Sequence, residues 1–402
     1  MAEANSKFSD GAVQSREFLV SSVESSVESS EAVTRRRAVK VAPKALKSRA
    51  FQRLSRLRPI FSRWLPDQVC LDFTVVIPTY NGARRLPAVL DCLCWQLGLS
   101  DLGWEVIVVD NNSTDATAEV VRRYQTDWPT GSTLRYVFEP RQGAGNARTC
   151  GIHAANSELV GFLDDDNLPG LTWVQAAYRF GQDNPRVGVY GSRIQGDFET
   201  TPPRHFERIS SLLALTERGS GPIPYLPERK VLPPGAGLVV RRQAWLDHVP
   251  HDLVMTQKIG QREAGEDLEV VLHIQKAGWE VWYNPHMRVA HRIPRQRLTR
   301  QYLVTLCRGI GLSRCHTRML SVRWWQRPVM LLVYMANDVR KILAHLLRYR
   351  WLAVEDTVTA CELALYWYSL LSPFFMAYRY GTNALSAMVP ATLLRTFLSL
   401  KF

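Results

Sequence analysis

Between Leu71 and Asp166 a short, nearly continuous apolar run that ends in a polar cluster occurs four times. The runs are FTVVIP (73–78), WEVIVVD (104–110), LRYVFEP (134–140) and ELVGFLDDD (158–166). The stretches between them, YNGARRLPAVLDCLCWQL, NNSTDATAEVVRRYQ and GNARTCGIHAA, read as turns and helices. Strands that are apolar at nearly every position need cover on both faces, and intervening helices supply it. The pattern therefore predicts an α/β domain with a mostly parallel central sheet and helices on both faces.

In such sheets ligands bind beyond the carboxyl ends of the strands. Thr79-Tyr80-Asn81, Asp110-Asn111-Asn112 and Asp164-Asp165-Asp166 all fall there. Three adjacent carboxylates repel one another unless a cation or a ring of donors balances them. Hard oxygen ligands suit Mg²⁺ or Mn²⁺, while the competing reading is an Asp-rich turn at a strand end. A second acidic pair, Glu266-Asp267, opens a predicted helix over 265–278. It fits either a general base for an acceptor hydroxyl or acids that complement the helix dipole. WEVWYNP (279–285) follows as a strand, and the Pro- and Gly-rich stretch 195–234 as an acceptor-side loop.

The five motifs VVIPTYNGARRLPAVLDCL, VIVVDNNSTDAT, GAGNARTCGI, VGFLDDDNLPGLTWV and GEDLEVVLHIQKAGW, in this order, resemble the inverting family 2 glycosyltransferases over residues 73–285. The resemblance implies the nucleotide-diphospho-sugar transferase (GT-A) fold. More narrowly, GEDLEVVLHIQKAGWEVWYNP with the later RGIGLSR is similar to the cyanobacterial hormogonium polysaccharide glycosyltransferases.

By the family resemblance, Pro78, Thr79, Tyr80 and Asn81 line the base and ribose pocket, Asp110 hydrogen-bonds the base with Asn112 beside it, and Arg148 lies near the nucleotide. Thr149 stands where relatives have Asn. Asp164 and Asp166 form the D-x-D pair, with Asp165 the variable middle position; Asp166, Asp164 and the late His291 are the candidate ligands for Mn²⁺ or Mg²⁺. Asp267 is the implied catalytic base and Glu266 its neighbour, orienting it or binding acceptor.

Charge divides the 402 residues into four parts. Residues 1–33 hold 2 basic and 6 acidic side chains and the repeat SSVESSVESSE, a disordered tail by composition. Residues 34–66 are a basic amphipathic segment, suited to a membrane surface or to packing on the catalytic domain. Residues 70–291 form the expected catalytic domain. Residues 292–402, with 16 basic and 4 acidic side chains, form a basic, aromatic-rich helical region expected to associate with a membrane. In that region 328–347 carries central charges, 359–378 contains Glu362 and Pro373, and 383–399 is short, so none reads as a clear membrane span. A basic skin around a mildly acidic centre favours an anionic membrane surface over nucleic acid, for which no recognition motif is present.

The seven cysteines contain no C-x-x-C pair and read as reduced thiols, and the first residues lack a secretory h-region. Both keep the expected catalytic part in the cytosol, and with the basic flanks the expected site of action is the cytoplasmic face of the plasma membrane, peripheral or monotopic. Gly143-Ala144-Gly145 reads as a helix-entry turn, and His248 with His251 as solvated side chains. The Q-x-x-R-W motif of processive synthases is absent, which favours one transfer per encounter.

The expected function is a metal-dependent transfer from a UDP- or GDP-linked sugar to a hydroxyl of a lipid-linked or growing exopolysaccharide acceptor. Two alternatives keep the fold. One is a polyprenyl-phosphate sugar synthase, whose ionised acceptor needs no strong base. The other is a catalytically silent membrane scaffold.

Overall fold

A computed structural model describes residues 71–229, 231–255, 265–350 and 355–380. The Ser/Glu-rich tail, the basic segment 34–66 and the stretch 383–399 lie outside these described residues.

The first half alternates as the sequence predicts. Strand β1 (Leu71–Thr79) is followed by helix α1 (Leu86–Cys94), β2 (Trp104–Asp110) by α2 (Thr117–Thr126), and β3 (Ser132–Phe138) by α3 (Ala144–Ala154). Strand β4 (Ser157–Phe162) leads through the three aspartates into the short β5 (Asn167–Pro169) and α4 (Trp173–Asp183). Strand β6 (Val187–Phe198), a run of 3₁₀ turns with β7 (Ile223–Pro224), and β8 (Leu238–Arg241) come next. Helices α5 (Arg242–His248) and α6 (Glu266–Lys276) precede the long β9 (Glu280–Ile293). Three helices close the described chain: α7 (Arg300–Leu320), α8 (Arg327–Tyr349) and α9 (Thr357–Tyr380).

The sheet runs β3-β2-β1-β4-β8-β6-β9-β5, with β7 on β9. Neighbours among β1 to β4 are parallel, as are β6 and β9, whereas β8 is antiparallel to both β4 and β6, and β5 and β7 are antiparallel to β9, so the sheet is mixed and not mostly parallel as the sequence pattern predicts. Side chains alternate between two cores, as the pleat requires. Phe73, Val75 and Ile77 of β1 pack with Leu90, Trp173 and Val174 on one face. Val76 of β1 packs with Ile152, Trp245, Val270 and Ile274 on the other. Each buried aliphatic or aromatic side chain contributes about 1.5–3 kcal/mol on transfer from water, so the two faces hold the strand ends in fixed register.

Helix α1 starts later than the sequence pattern predicts. Residues 80–85 instead form a turn in which Asn81 adopts φ 48° and the Gly82 amide donates to Thr117 Oγ1 at 3.0 Å. Strand β9 runs past the predicted end at 285, because its second half pairs with β6 and with β5.

Helices α7 and α9 share a third core with Phe206, Ile209 and Leu213 of the 3₁₀ turns and with Ile293 at the end of β9. In α9, Val358, Cys361, Ala364, Leu365 and Tyr368 are buried in that core. Among the described residues no helix is long and apolar enough to cross a membrane. Asp338, a charge in the middle of the apolar stretch 328–347, is fully buried and receives Arg318 at 2.6 and 2.9 Å and the Ser369 hydroxyl at 3.0 Å.

Candidate active site

The carboxyl ends of β1, β2 and β4 form one rim. Register pairs Thr79 directly with Asp110, and the Asn111 amide donates to the Thr79 carbonyl at 2.8 Å. Pro78 is half-buried, Tyr80 is exposed at the lip, and the Asn81 side chain accepts from the Thr114 amide at 2.8 Å. Asp110 is buried, with one oxygen receiving the Ser113 amide at 2.9 Å and the other the Tyr136 hydroxyl at 2.7 Å. Burial, and next the bond to Asp110, push the Tyr136 phenol up to about 12. Asn112 is exposed in a left-handed conformation.

The three aspartates point in three directions. Asp165 turns toward β1, where it receives Arg85 at 2.8 and 2.9 Å and the Thr79 hydroxyl at 2.6 Å. Asp164 receives Arg148 Nη2 at 2.8 Å. Asp166 receives Asn167 Nδ2 at 3.0 Å and Arg297 Nη1 at 2.8 Å, and one of its oxygens lies 3.6 Å from His291 Nε2. Burial alone would raise the Asp166 carboxyl, but His291, Arg297 and Arg85 outweigh it and hold it below the usual carboxylate range.

The sheet register delivers His291 to this point. It sits opposite Asn167 in the β5–β9 pair, and the next amide, of Arg292, donates to the Asp166 carbonyl at 2.9 Å. His291 Nδ1 lies 2.9 Å from the Leu213 carbonyl. A proton on Nδ1 satisfies that carbonyl and leaves the Nε2 lone pair to accept from Arg297 Nη1 at 2.9 Å, the tautomer a metal-ligating imidazole uses.

Two donors of this kind fit a Mg²⁺ or Mn²⁺ that keeps waters and donor phosphates as its other ligands. Asp164 is engaged by Arg148 instead. Among the described residues there is no cluster of three or more His, Cys, Asp or Glu side chains arranged around a metal position.

Arg148 joins the two acidic motifs. Its Nη2 binds Asp164 and its Nη1 donates to Glu266 Oε1 at 3.1 Å, although some hundred residues of chain separate the two acids. Burial, and next the neighbouring Asp267, push the Glu266 carboxyl up, against the opposing pull of Arg148. Asp267, beside it in the first turn of α6, receives the Gly235 amide at 2.6 Å and the Leu268 amide at 2.9 Å. A Cβ on Gly235 would stand 2.9 Å from Asp267 Cβ and 3.2 Å from Arg148 Nη2, so only glycine admits this approach.

Three residues of this arrangement, Arg85, Arg297 and Gly235, carried no sequence signal that singled them out. Asn111, read in the sequence only as part of the polar cluster after β2, ties Gly143 and the Glu139 and Arg141 carbonyls into the rim. Arg85 lies within a quoted motif, but only tertiary contact reveals what it touches. His248 and His251 are both exposed.

Residues 74–249 match the family model for Glycosyl transferase family 2. The chain is 33% identical over 129 residues to chondroitin synthase of Escherichia coli, covering 31% of this chain and 18% of that protein. It is 28% identical over 192 residues to an uncharacterized glycosyltransferase of Nostoc sp., covering 46% of this chain and 55% of that one. It thus spans about half or less of the length of these curated relatives. Among solved structures, the mannosyltransferase PcManGT from Pyrobaculum calidifontis in complex with GDP-Man and Mn²⁺ aligns with a TM-score of 0.44 at 19% identity, covering 87% of this chain and 91% of that one.

Proposed function

We propose, from the premise that the chain carries a family 2 glycosyltransferase domain and is a transferase, that it moves a sugar from a nucleotide-diphosphate donor to an acceptor hydroxyl with inversion at the anomeric carbon. The observation that carries this reading is the Arg148 guanidinium, which joins Asp164 of the aspartate motif to Glu266 of the acidic helix start. The donor-side rim and the helix start that carries the candidate base are therefore joined by one buried cation.

The proposed division of labour follows from charge. Asp166 and His291 would hold Mn²⁺ or Mg²⁺, which when bound neutralises charge on the departing diphosphate. Thr79 to Asn81, Asp110, Asn112 and Asp164 face the nucleoside and ribose. Asp267, held by two backbone amides at the start of α6, takes the proton of the attacking hydroxyl. Glu266, its carboxyl raised by burial, keeps less negative charge beside that base than an exposed glutamate would.

The acceptor in this reading is lipid-linked or a growing exopolysaccharide, and the enzyme works at the cytoplasmic face of the plasma membrane. Support comes from the basic C-terminal region 292–402 and from apolar side chains exposed on α8. The Nostoc relative is in keeping with the narrower cyanobacterial resemblance.

Calorimetry with UDP, GDP and dTDP, with and without Mn²⁺, tests the donor side. One nucleotide should bind in a manganese-dependent way and lose that dependence in Asp166→Ala; binding of none by folded protein overturns the reading. For the base, Asp267→Asn should lower kcat by roughly 10²–10⁴-fold while nucleotide affinity holds. An Asn variant that transfers at the wild-type rate would instead point to an acceptor already ionised, as in a polyprenyl-phosphate sugar synthase.

A further inference from the structure

We propose that the outward face of α8, with the tryptophan pair before it, is the surface by which the protein lies on an anionic lipid bilayer. The proposal rests on the membrane reading above and gives it a definite surface.

A helix on a folded domain ordinarily turns its apolar stripe inward. Helix α8 does the reverse. Its buried positions are Asp338, Ile342 and His345. Leu332, Val339, Leu343 and Leu347 recur at helical spacing on the other side, and Leu332 and Leu347 are 69% and 81% exposed. Trp324 and Trp325, at 79% and 57%, extend the face past the helix start. An exposed apolar stripe of this length marks a contact with something apolar.

The charges choose the occupant. Arg323, Arg327, Arg340 and Arg348 are all exposed around the stripe, and the one acid of α8, Asp338, is turned inward onto Arg318. A second copy meeting this face two-fold would set arginines against arginines. The stretch 381–402 of this chain has Arg395 and Lys401 and no acid, so it offers no complement either. An anionic bilayer supplies both halves of the match: hydrocarbon for the leucines and phosphate for the arginines. Indole rings suit the headgroup boundary between them. The helix lies in the plane rather than crossing, because Arg340 and Lys341 stand at its middle.

The face is tied to the candidate base by two side-chain contacts of α7, one of them the Arg318–Asp338 ion pair. Arg318 of α7 holds Asp338 of α8, and His316 of α7 lies 3.1 Å from Glu269 of α6, the helix that begins with Glu266 and Asp267.

The test uses the full chain and vesicles of phosphatidylcholine with or without phosphatidylglycerol. Binding should require phosphatidylglycerol. Lipids brominated on the acyl chain should quench tryptophan emission, and that quenching should fall in Trp324→Phe/Trp325→Phe. Leu332→Glu/Leu343→Glu, both exposed, should melt as wild type does and bind at least about tenfold more weakly. If this variant binds vesicles as wild type does, another surface carries the membrane contact and the inference fails alone. If the wild-type chain binds no vesicle, the membrane reading fails with it. A wild-type dimer that the two substitutions dissociate would identify the face as a self-interface and overturn the proposal.

Discussion

At the scale of single residues, the candidate base depends on a backbone position that sequence inspection passed over. Gly235 lies so close to Asp267 that a methyl group would press on Asp267 Cβ, which has no freedom to swing aside at the start of a helix. Gly235→Ala is expected to shift the carboxylate and lower kcat by on the order of 10²-fold with nucleotide binding retained; an alanine variant of undiminished rate would separate Asp267 from the chemistry. Arg297 raises a different question. Its guanidinium bonds Asp166 and sits 2.9 Å from His291 Nε2, so it serves as counter-charge to the two groups assigned to the divalent ion. Arg297→Gln should therefore bind Mn²⁺ more tightly than wild type by calorimetry. Weaker or unchanged Mn²⁺ affinity would mean that the arginine does not compete for the pair.

At the scale of elements, α6 is fixed by a carboxylate two residues after the proposed base, in the same first turn. Glu269 receives the Val254 amide at 3.1 Å and the Met255 amide at 2.9 Å, with His316 on its other side. Burial would raise this carboxyl, but His316 and the two amides outweigh it and lower it below the usual range. A lowered folded value means that its contribution is fully present above the unfolded value, about 4.3. That contribution is lost as pH falls toward the folded value. Wild-type melting temperature should thus drop on acidification below about pH 4.3, and the drop should be shallower in Glu269→Gln. Equal slopes in the two proteins would show that the anchor contributes nothing pH-dependent. Element types were readable here because continuous apolar runs and amphipathic stretches alternate in 71–166. Boundaries were less so: Asn81 and Gly82 draw residues 80–85 into a turn, and β9 extends to Ile293 because it finds partners in β5 and β6.

At the scale of the whole molecule, composition divides the chain near 291, whereas the third core crosses that boundary by packing α7 and α9 onto Phe206, Ile209, Leu213 and Ile293. The C-terminal helices should therefore unfold together with the sheet. Arg318→Ala leaves Asp338 as a buried carboxylate without its cation and should cost about 3–5 kcal/mol. Denaturant titration should show one transition at a lower midpoint; an early, separate loss of helix would mark 292–380 as an independent unit.

The sequence by itself determined the alternation of strands and helices in 71–166, the parallel β1–β4 half of the sheet that follows from it, and the polar clusters at its strand ends, because each depends on residues adjacent along the chain. It also carried the motifs that resemble those of family 2 glycosyltransferases, through Asp164-Asp165-Asp166 and Glu266-Asp267. Tertiary structure decided which aspartate meets which cation, that β-sheet register brings His291 beside Asp166, and that one arginine on α3 joins the two acidic motifs. It also decided that α8 turns its charge inward and its leucines outward. The stripe and the arginines are written in the sequence, but which side a helix buries depends on the helices packed against it.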